Sequence, residues 1–577
     1  MRLRVTKSKN TDIFYVIKTV YINGKEKTLT IEKLGNTETI KERTNGEDPY
    51  VWARKYIAEL NKKEKEGTNE IIIKKSQTRK IDKDQENLFN CGYLFLEQLY
   101  YKLKLDKICK EISDKCRFQY DLNNILSRLV YSRIIFPSSK LATQELSKKF
   151  LEAPKFELQH IYRALEVISK NSNLIQSELY KNSLNVVNRE SKILYYDCTN
   201  YFFEIEQESG LRQYGPSKEH RPNPITQMGL FMDGNGLPLA VDITSGNTNE
   251  QTTLTPLEER ILKDYKLSKF IVCTDAGLAS TANRKFNDMK KRAFITTQSI
   301  KKLKKHLKQW ALSPEDWSLV GDSKKYNLNE IEKDEESTEK YYDKTFYKQR
   351  SINEDGLEQF FIVTYSLKYK KYQRKIRESQ IERAKKAINT KGFKLEKCNQ
   401  NDYKRLITKT SITDDGEIAE KKILSINQKR IAEEEQYDGF YGICTNLEGE
   451  VSDIIKINQR RWEIEESFRI MKTEFKARPV YLSRDDRIEA HFLVCFIALL
   501  IHRILEKKLD EKYSTEQIVD TLRNMNMYKE VGQGYLPAYK RTDLTDELHK
   551  QSGFRTDYEI TSEAKMKKIL KSLKNKK

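Results

Sequence analysis

"KILYYDCTNYFFEIE", residues 192–206, is the stretch on which the fold turns. Before it, from about residue 88, apolar residues recur at three- and four-residue steps, as in "LNNILSRLVYSRI" and "HIYRALEVISKNSNLIQSELYKNSL". Here the helical period stops. β-branched and aromatic residues run together and predict a strand. Asp197 is out of place among Tyr195, Tyr196 and Cys198. Aspartate is a poor strand former, and burying it ionised and unpaired costs free energy. Either Asp197 faces water on an edge strand, or the carboxylate has a task.

Downstream, "ITQMGLFMDGNGLPLAVDI" places two apolar runs about "DGNG" and predicts a hairpin. "QTTLTPLEERILKDY" predicts a helix. "KFIVCTDAGLAS" predicts a short buried strand ending at Asp275. "STANRKFNDMKKR" predicts another helix and "AFITTQS" another strand. The order is strand, strand, strand, helix, strand, helix, strand. A turn or helix N-cap is the plain reading of Asp275. Two acids closing apolar strands in one mixed α/β unit fit that plain reading less well.

A third acid lies in "RRWEIEESFRIMK", residues 460–472. At 100° per residue, Arg461, Glu465, Arg469 and Lys472 share an arc of about 80°. Ile464, Phe468, Met471 and Phe475 form an apolar stripe beside it. An amphipathic helix with ordinary i,i+4 ion pairs, each of a few tenths of a kcal/mol, is one reading. The other is a carboxylate held at the edge of a packed face among cations. If Asp197, Asp275 and Glu465 converge, they repel one another unless a cation sits between them. Hard divalent metals take oxygen ligands, and Mg2+ keeps waters beside one or two carboxylates and substrate phosphate oxygens. Two such ions, Mg2+ or Mn2+, activate water and stabilise the leaving oxygen of an in-line displacement at phosphorus. Arg461, Arg469 and Lys472 then serve the DNA backbone.

Composition narrows the partners. The chain has 577 residues and a formal net charge of +21. That excess points to a polyanion. No stretch pairs a basic face with a lipid-seeking apolar face, so nucleic acid is preferred to a membrane surface. "FLVCFIALLI", 492–501, is short for a bilayer span and predicts a buried helix. The start "MRLRVTKSKNTDIFYV" is not a secretory signal. The eight cysteines form no CxxC pair, which predicts reduced, mostly buried thiols in a cytoplasmic protein. With six histidines and no Cys/His cluster, zinc is not expected.

With these motifs in order, the chain resembles bacterial insertion-sequence transposases of the DDE superfamily, in the group with a β-rich insertion before the last acid. "YYDCTNYFF" resembles the first-Asp strand and "GPSKEHRPNPITQMGLFMDGNGLPL" the hairpin after it. "IVCTDAGLAS" resembles the second-Asp strand. "RRWEIEESFRIMK" resembles the Y-R-E-K signature, whose spacing fits Arg461, Glu465 and Lys472. Asn458 stands at the Tyr position and Asn223 at the acid after "HRP", two departures from the pattern. The resemblance covers roughly 190–300 and 437–505. It implies an α/β fold: an RNase H-like catalytic core, a mixed five-stranded sheet with flanking helices. An inserted mostly β domain interrupts that core, and a small β-rich unit and a helical DNA-binding domain precede it. It also implies Asp197, Asp275 and Glu465 as catalytic metal ligands, with Arg461 and Lys472 on DNA.

The expected boundaries are 1–75 for the β-rich unit and linker, with a hairpin at "NGK", and 76–190 for the helical domain. The core occupies 191–300 and 437–510, the insertion 301–436, and a helical basic region 511–577. Trp462 either stacks on a flipped base or packs against the insertion. Lys218, His220 and Arg221 either clamp phosphate or sit in a solvated loop. The lysine tail from 565 is a solvated helix face or a nonspecific DNA contact. Expected function is cut-and-paste transposition of an insertion sequence. The partners are double-stranded DNA, as terminal inverted repeats and target, and a second copy of the chain on the DNA. A metal nuclease that cuts without joining, or a DNA-binding protein without activity, stays open.

Overall fold

The computed structural model describes residues 1–8, 11–22, 25–66, 71, 73, 75–78, 80–81, 83–116, 118–322, 324–390, 393, 395, 402–412 and 418–574. The chain forms two compact units. One comprises 189–200 and 211–466; the other comprises 1–188, 201–210 and 467–577.

The first unit is built on one mixed sheet. Its strands, in chain order, are β1 (Ile193–Phe202), β2 (Ile225–Asp233), β3 (Pro238–Ser245), β4 (Ile271–Thr274), β5 (Ala293–Gln298), β6 (Trp317–Leu319), β7 (Lys325–Tyr326), β8 (Phe346–Glu354), β9 (Leu357–Tyr365) and β10 (Phe440–Thr445). Their order across the sheet is β7-β6-β8-β9-β10-β5-β4-β1-β2-β3. β1, β4 and β5 run parallel. β1 and β2 are buried along nearly their whole length, which is why their sequences read as continuous apolar runs rather than alternating ones. Helices α1 (Leu254–Asp264) and α2 (Thr281–Asn287) follow β3 and β4, reproducing the predicted order through residue 298.

At the β2–β3 turn, Asp233 Oδ1 accepts from the backbone N–H groups of Asn235 and Leu237, each at 3.0 Å. Its Oδ2 accepts from Arg189 Nε at 2.6 Å, and both side chains are fully buried. The "DGNG" signal is therefore a turn locked from inside.

The sheet does not stop at five strands, as expected from the sequence. Four of its ten strands come from 301–436, and β9 pairs antiparallel with β10 from Phe360 opposite Thr445 to Tyr365 opposite Phe440. The β8–β9 turn uses Asp355 and Gly356, both at positive φ (52° and 79°), which matches the twist of a two-residue hairpin. Nor is 301–436 mostly β: its described residues also carry five α-helices, among them α3 (Leu367–Ile388). Strand alternation shows that a segment is a strand, not which edge it fills; pairing satisfies the free backbone groups of β5 and β10. Two helices close the unit, α4 (Val451–Gln459) and α5 (Trp462–Thr473), of which the second runs on into the other unit.

The second unit opens with the antiparallel strands Arg2–Lys7, Asp12–Ile22 and Lys25–Asn36. They pack on helices through Phe14, Val16, Leu34, Ile40, Ala53 and Ile57. The predicted "NGK" turn falls on residues 23–24, outside the described residues; Ile22 and Lys25 pair on either side of it. Helices dominate 93–183, as the period predicted. The apolar run at 492–501 lies within a longer helix, Asp485–Lys508. That helix is long and apolar enough to cross a membrane, but 89% of its apolar window is buried inside the fold. Residues 511–577 are not helical throughout. Strands Asn526–Glu530 and Gly534–Pro537 form a hairpin that pairs with Leu88–Asn90. The lysine-rich helix Glu563–Lys574 buries Met566, Ile569 and Leu573 and shows its lysines outward.

Candidate active site

β1 and β4 pair in parallel, Ile193 with Ile271, Leu194 with Val272 and Tyr195 with Cys273. The ladder ends there; carried two residues on, its register sets Asp197 level with Asp275, the first residue after β4. Neighbouring strands lie about 4.8 Å apart and side chains alternate, so the two acids share a face. Asp197 is only 9% exposed. Burial pushes its carboxyl up to about 6; the negative charge of Asp275 pushes the same way, while Lys218 and Arg461 pull back. Its Oδ1 accepts from Cys198 N–H at 2.7 Å. Asp275 Oδ1 accepts from the N–H groups of Gly277 (2.9 Å) and Leu278 (3.0 Å). Asp275 is thus the turn residue of the plain reading, and its side chain is fixed at the strand end beside Asp197.

Cations approach from two loops. Lys218, in the loop after β1, donates to the carbonyl of Cys198 and pairs with Glu250 Oε1 at 3.2 Å. Burial pulls its ammonium down, but Asp197 and Glu250 outweigh this and hold it above the usual lysine value. Arg461 lies between α4 and α5. Burial disfavours its charge, and Tyr441, Asp275, Asp197 and Glu465 together more than restore it. All three predicted acids therefore act on one guanidinium. Glu465 meets it directly, Oε1 to Nη2 at 3.5 Å, with 60% of the Glu465 side chain exposed.

The other predicted residues divide. Arg221 is half exposed and faces Glu219, Nε to Oε2 3.6 Å, rather than Asp197. Trp462 is exposed, at 58%, and is not packed away. Arg469 and Lys472 belong to the other unit, where Lys472 Nζ lies 5.5 Å from the Tyr201 ring centre. The predicted apolar stripe Ile464, Phe468, Met471 and Phe475 is fully or nearly fully buried.

Two residues with a bearing on the site were missed, Tyr441 and Glu250, and Asn458 was seen only as a departure from the signature. Tyr441, on β10, donates or accepts a 2.6 Å bond with Thr297 Oγ1 and accepts from Asn458 Nδ2 at 3.3 Å. Asn458 is buried and also contacts Cys273 Sγ, at 3.9 Å. The signature-Tyr departure is thus an internal strut between α4 and the sheet, beside a phenol that comes from another strand. Glu250, which completes the Lys218 contact, is the second missed residue. Neither Tyr441 nor Glu250 has a local sequence signal; each is brought in by tertiary pairing.

Among the described residues, no three His, Cys, Asp or Glu side chains are gathered closely enough to hold a metal ion. Asp197 and Asp275 offer an all-oxygen pair in which a buried carboxylate faces a like charge. That donor chemistry suits one hard divalent cation with room left for water and phosphate oxygens. Glu465 is linked to the pair through Arg461 and is not part of the same donor set.

Residues 203–501 match the family described as Transposase DDE domain, a range that contains Asp275 and Glu465 and begins just after Asp197. Two solved structures are similar over part or most of the chain. The piggyBac transposase synaptic complex with hairpin DNA, solved by cryo-EM, is 8% identical with a TM-score of 0.36, over 84% of this chain and 85% of that one. The Mos1 transposase paired-end complex with left transposon end is 13% identical with a TM-score of 0.13, over 44% of this chain and 69% of that one. Neither score establishes a shared fold. No curated protein matches the chain.

Proposed function

Because the chain belongs to the Transposase DDE domain family, we propose that it is the DNA transposase of an insertion sequence, binding terminal inverted repeats and moving them by strand cleavage and strand transfer. The observation that carries the site assignment is the parallel β1–β4 register, which, carried two residues past Tyr195 and Cys273, sets Asp197 within β1 level with Asp275 just after β4. The five adjacent strands β3-β2-β1-β4-β5, with α1 and α2 beside them in the chain, support an RNase H-like core.

In this proposal Asp197 and Asp275 hold a divalent ion, Mg2+ or Mn2+. When bound, such an ion activates water and stabilises charge on the leaving oxygen. Arg461 and Lys218 set positive charge beside the two acids, where a scissile phosphate needs it. In-line transfer depends on positioning and charge stabilisation more than on covalent chemistry by the protein. Glu465 holds Arg461 by the guanidinium and joins the donor set once the DNA backbone draws Arg461 away. The exposed Trp462 indole lies one residue further along, open to an unstacked base. The helices of 76–190 read the terminal repeats, and two ends require two copies of the chain.

A gel-shift series against DNA flanking the gene tests the substrate. Specific retention of a fragment holding one inverted repeat is expected. Equal retention of unrelated fragments at every salt concentration counts against repeat recognition.

A further inference from the structure

Helix α3 stands in the 301–436 segment and the reaction scheme above gives it no task. Its inner face is fixed. Arg377 Nη1 donates to Asp438 Oδ1 at 2.8 Å, and Ala384 is buried with Leu406, Ile407 and Ile431. Its outer face carries large side chains open to solvent. Tyr369, Tyr372 and Ile376 are 37%, 59% and 41% exposed, three large apolar side chains within eight residues. The two tyrosine rings lie nearly parallel, centres 6.4 Å apart.

At 100° per residue, Tyr369, Tyr372, Ile376, Lys368, Lys375, Ser379, Arg383 and Lys386 fall in one arc of about 120°. No carboxylate of α3 falls in it; Glu382 lies about 20° beyond its edge, pairs with Lys385 at 2.9 Å and feels the charge of Lys386. Lys368 is paired with Asp343 at 2.9 Å. Lys375, Arg383 and Lys386 are exposed and enter no ion pair among the described residues. They span about 16 Å of helix. An exposed stripe on which cations and phenols outnumber the acids at its edge is complementary to a row of phosphates, which take Lys, Arg and Tyr donors alike.

We propose that the outer face of α3 docks on the backbone of duplex DNA through Lys375, Arg383 and Lys386, with Tyr369 and Tyr372 as hydrogen-bonding neighbours. The proposal rests on the reading of the chain as a DNA-binding transposase, and adds a contact surface that includes neither of the two acids. It fixes no base sequence, since phosphate contacts carry none.

The test is the salt dependence of duplex binding for wild type and for the triple variant K375Q/R383Q/K386Q. Each lost phosphate contact removes about 0.9 from the slope of log affinity against log salt, so three remove about 2.7. Over a fourfold rise in salt, wild type then loses roughly 40-fold more affinity than the variant. The control K333Q/K340Q/K344Q removes three other lysines of the same segment and keeps the wild-type slope. An equal slope for wild type and the α3 variant, or an equal loss in the control, overturns the proposal. A variant that melts below wild type is replaced by Tyr372→Ala, whose duplex affinity falls if the face docks and stays level if it does not. If wild type itself retains no duplex, the transposase reading fails instead; normal wild-type binding with an unchanged variant slope removes α3 alone.

Discussion

Replacing Asp197 by Asn makes the metal-free protein more stable while removing its chemistry. The folded carboxyl is held at about 6 against an ordinary 3.8. The folded state therefore keeps its proton to higher pH than the unfolded chain does. Stability from this group is present below about 4, is lost as pH rises toward 6, and is absent above. The step corresponds to about 3 kcal/mol at pH 8 and about half of that at pH 5. The amide introduced by Asp197→Asn would keep an acceptor for Cys198 N–H and shed the buried charge. Three of the four tryptophans, Trp310, Trp317 and Trp462, lie in the unit that carries Asp197, so tryptophan emission follows its unfolding. In EDTA at pH 8, D197N should melt above wild type by on the order of 5–10 °C, the gap halving at pH 5. Mg2+ should raise the melting temperature of wild type and leave D197N unmoved. Equal melting in EDTA at pH 8, or a wild type that melts higher, refutes the reasoning that burial and Asp275 load this carboxylate.

Three further outcomes are expected. Glu465→Gln abolishes cleavage of labelled ends and leaves gel-shift affinity for them largely intact; retained cutting removes Glu465 from the chemistry. Asp233→Asn leaves Arg189 buried without its counter-charge and lowers unfolding free energy by about 3–5 kcal/mol in denaturant titrations, and Asp233→Leu, which also removes the acceptor of the Asn235 and Leu237 N–H groups, costs more. Lys140 is buried beside His491 Nδ1, 3.4 Å away, and burial pulls its ammonium down to about 7. The cost of its charge is full below pH 7 and fades as pH rises toward 10.5, so Lys140→Met raises the melting temperature at pH 6 and has little effect at pH 10.

The motifs legible in the sequence were those that local chemistry writes. Strand and helix periods from 191 to 298 gave every element in order, because each change of period is a change of backbone geometry. "DGNG" marked its hairpin because a reversing backbone needs those residues. The stripe from Ile464 to Phe475 marked the buried face of α5. Pairing across the chain was not written locally. Nothing in "FYKQRSI" or "QFFIVTYS" says that these strands extend the sheet beyond β10. The same holds for Asn458: its contacts to Tyr441 and Cys273 come from two distant strands. The two aspartates were legible as misfits in apolar strands, and their register follows from parallel pairing. Glu465 was legible by spacing, but its link through Arg461 depends on how the α4–α5 connection meets the sheet.

The most direct measurement is strand transfer with labelled element ends, with and without Mg2+, for wild type, D197N and D275N. Joined product should form with wild type in Mg2+ only and vanish in both variants. Joined product in EDTA, or from either variant at the wild-type rate, contradicts a metal-dependent reaction centred on the two aspartates; hydrolysed ends with no joined product identify a nuclease instead.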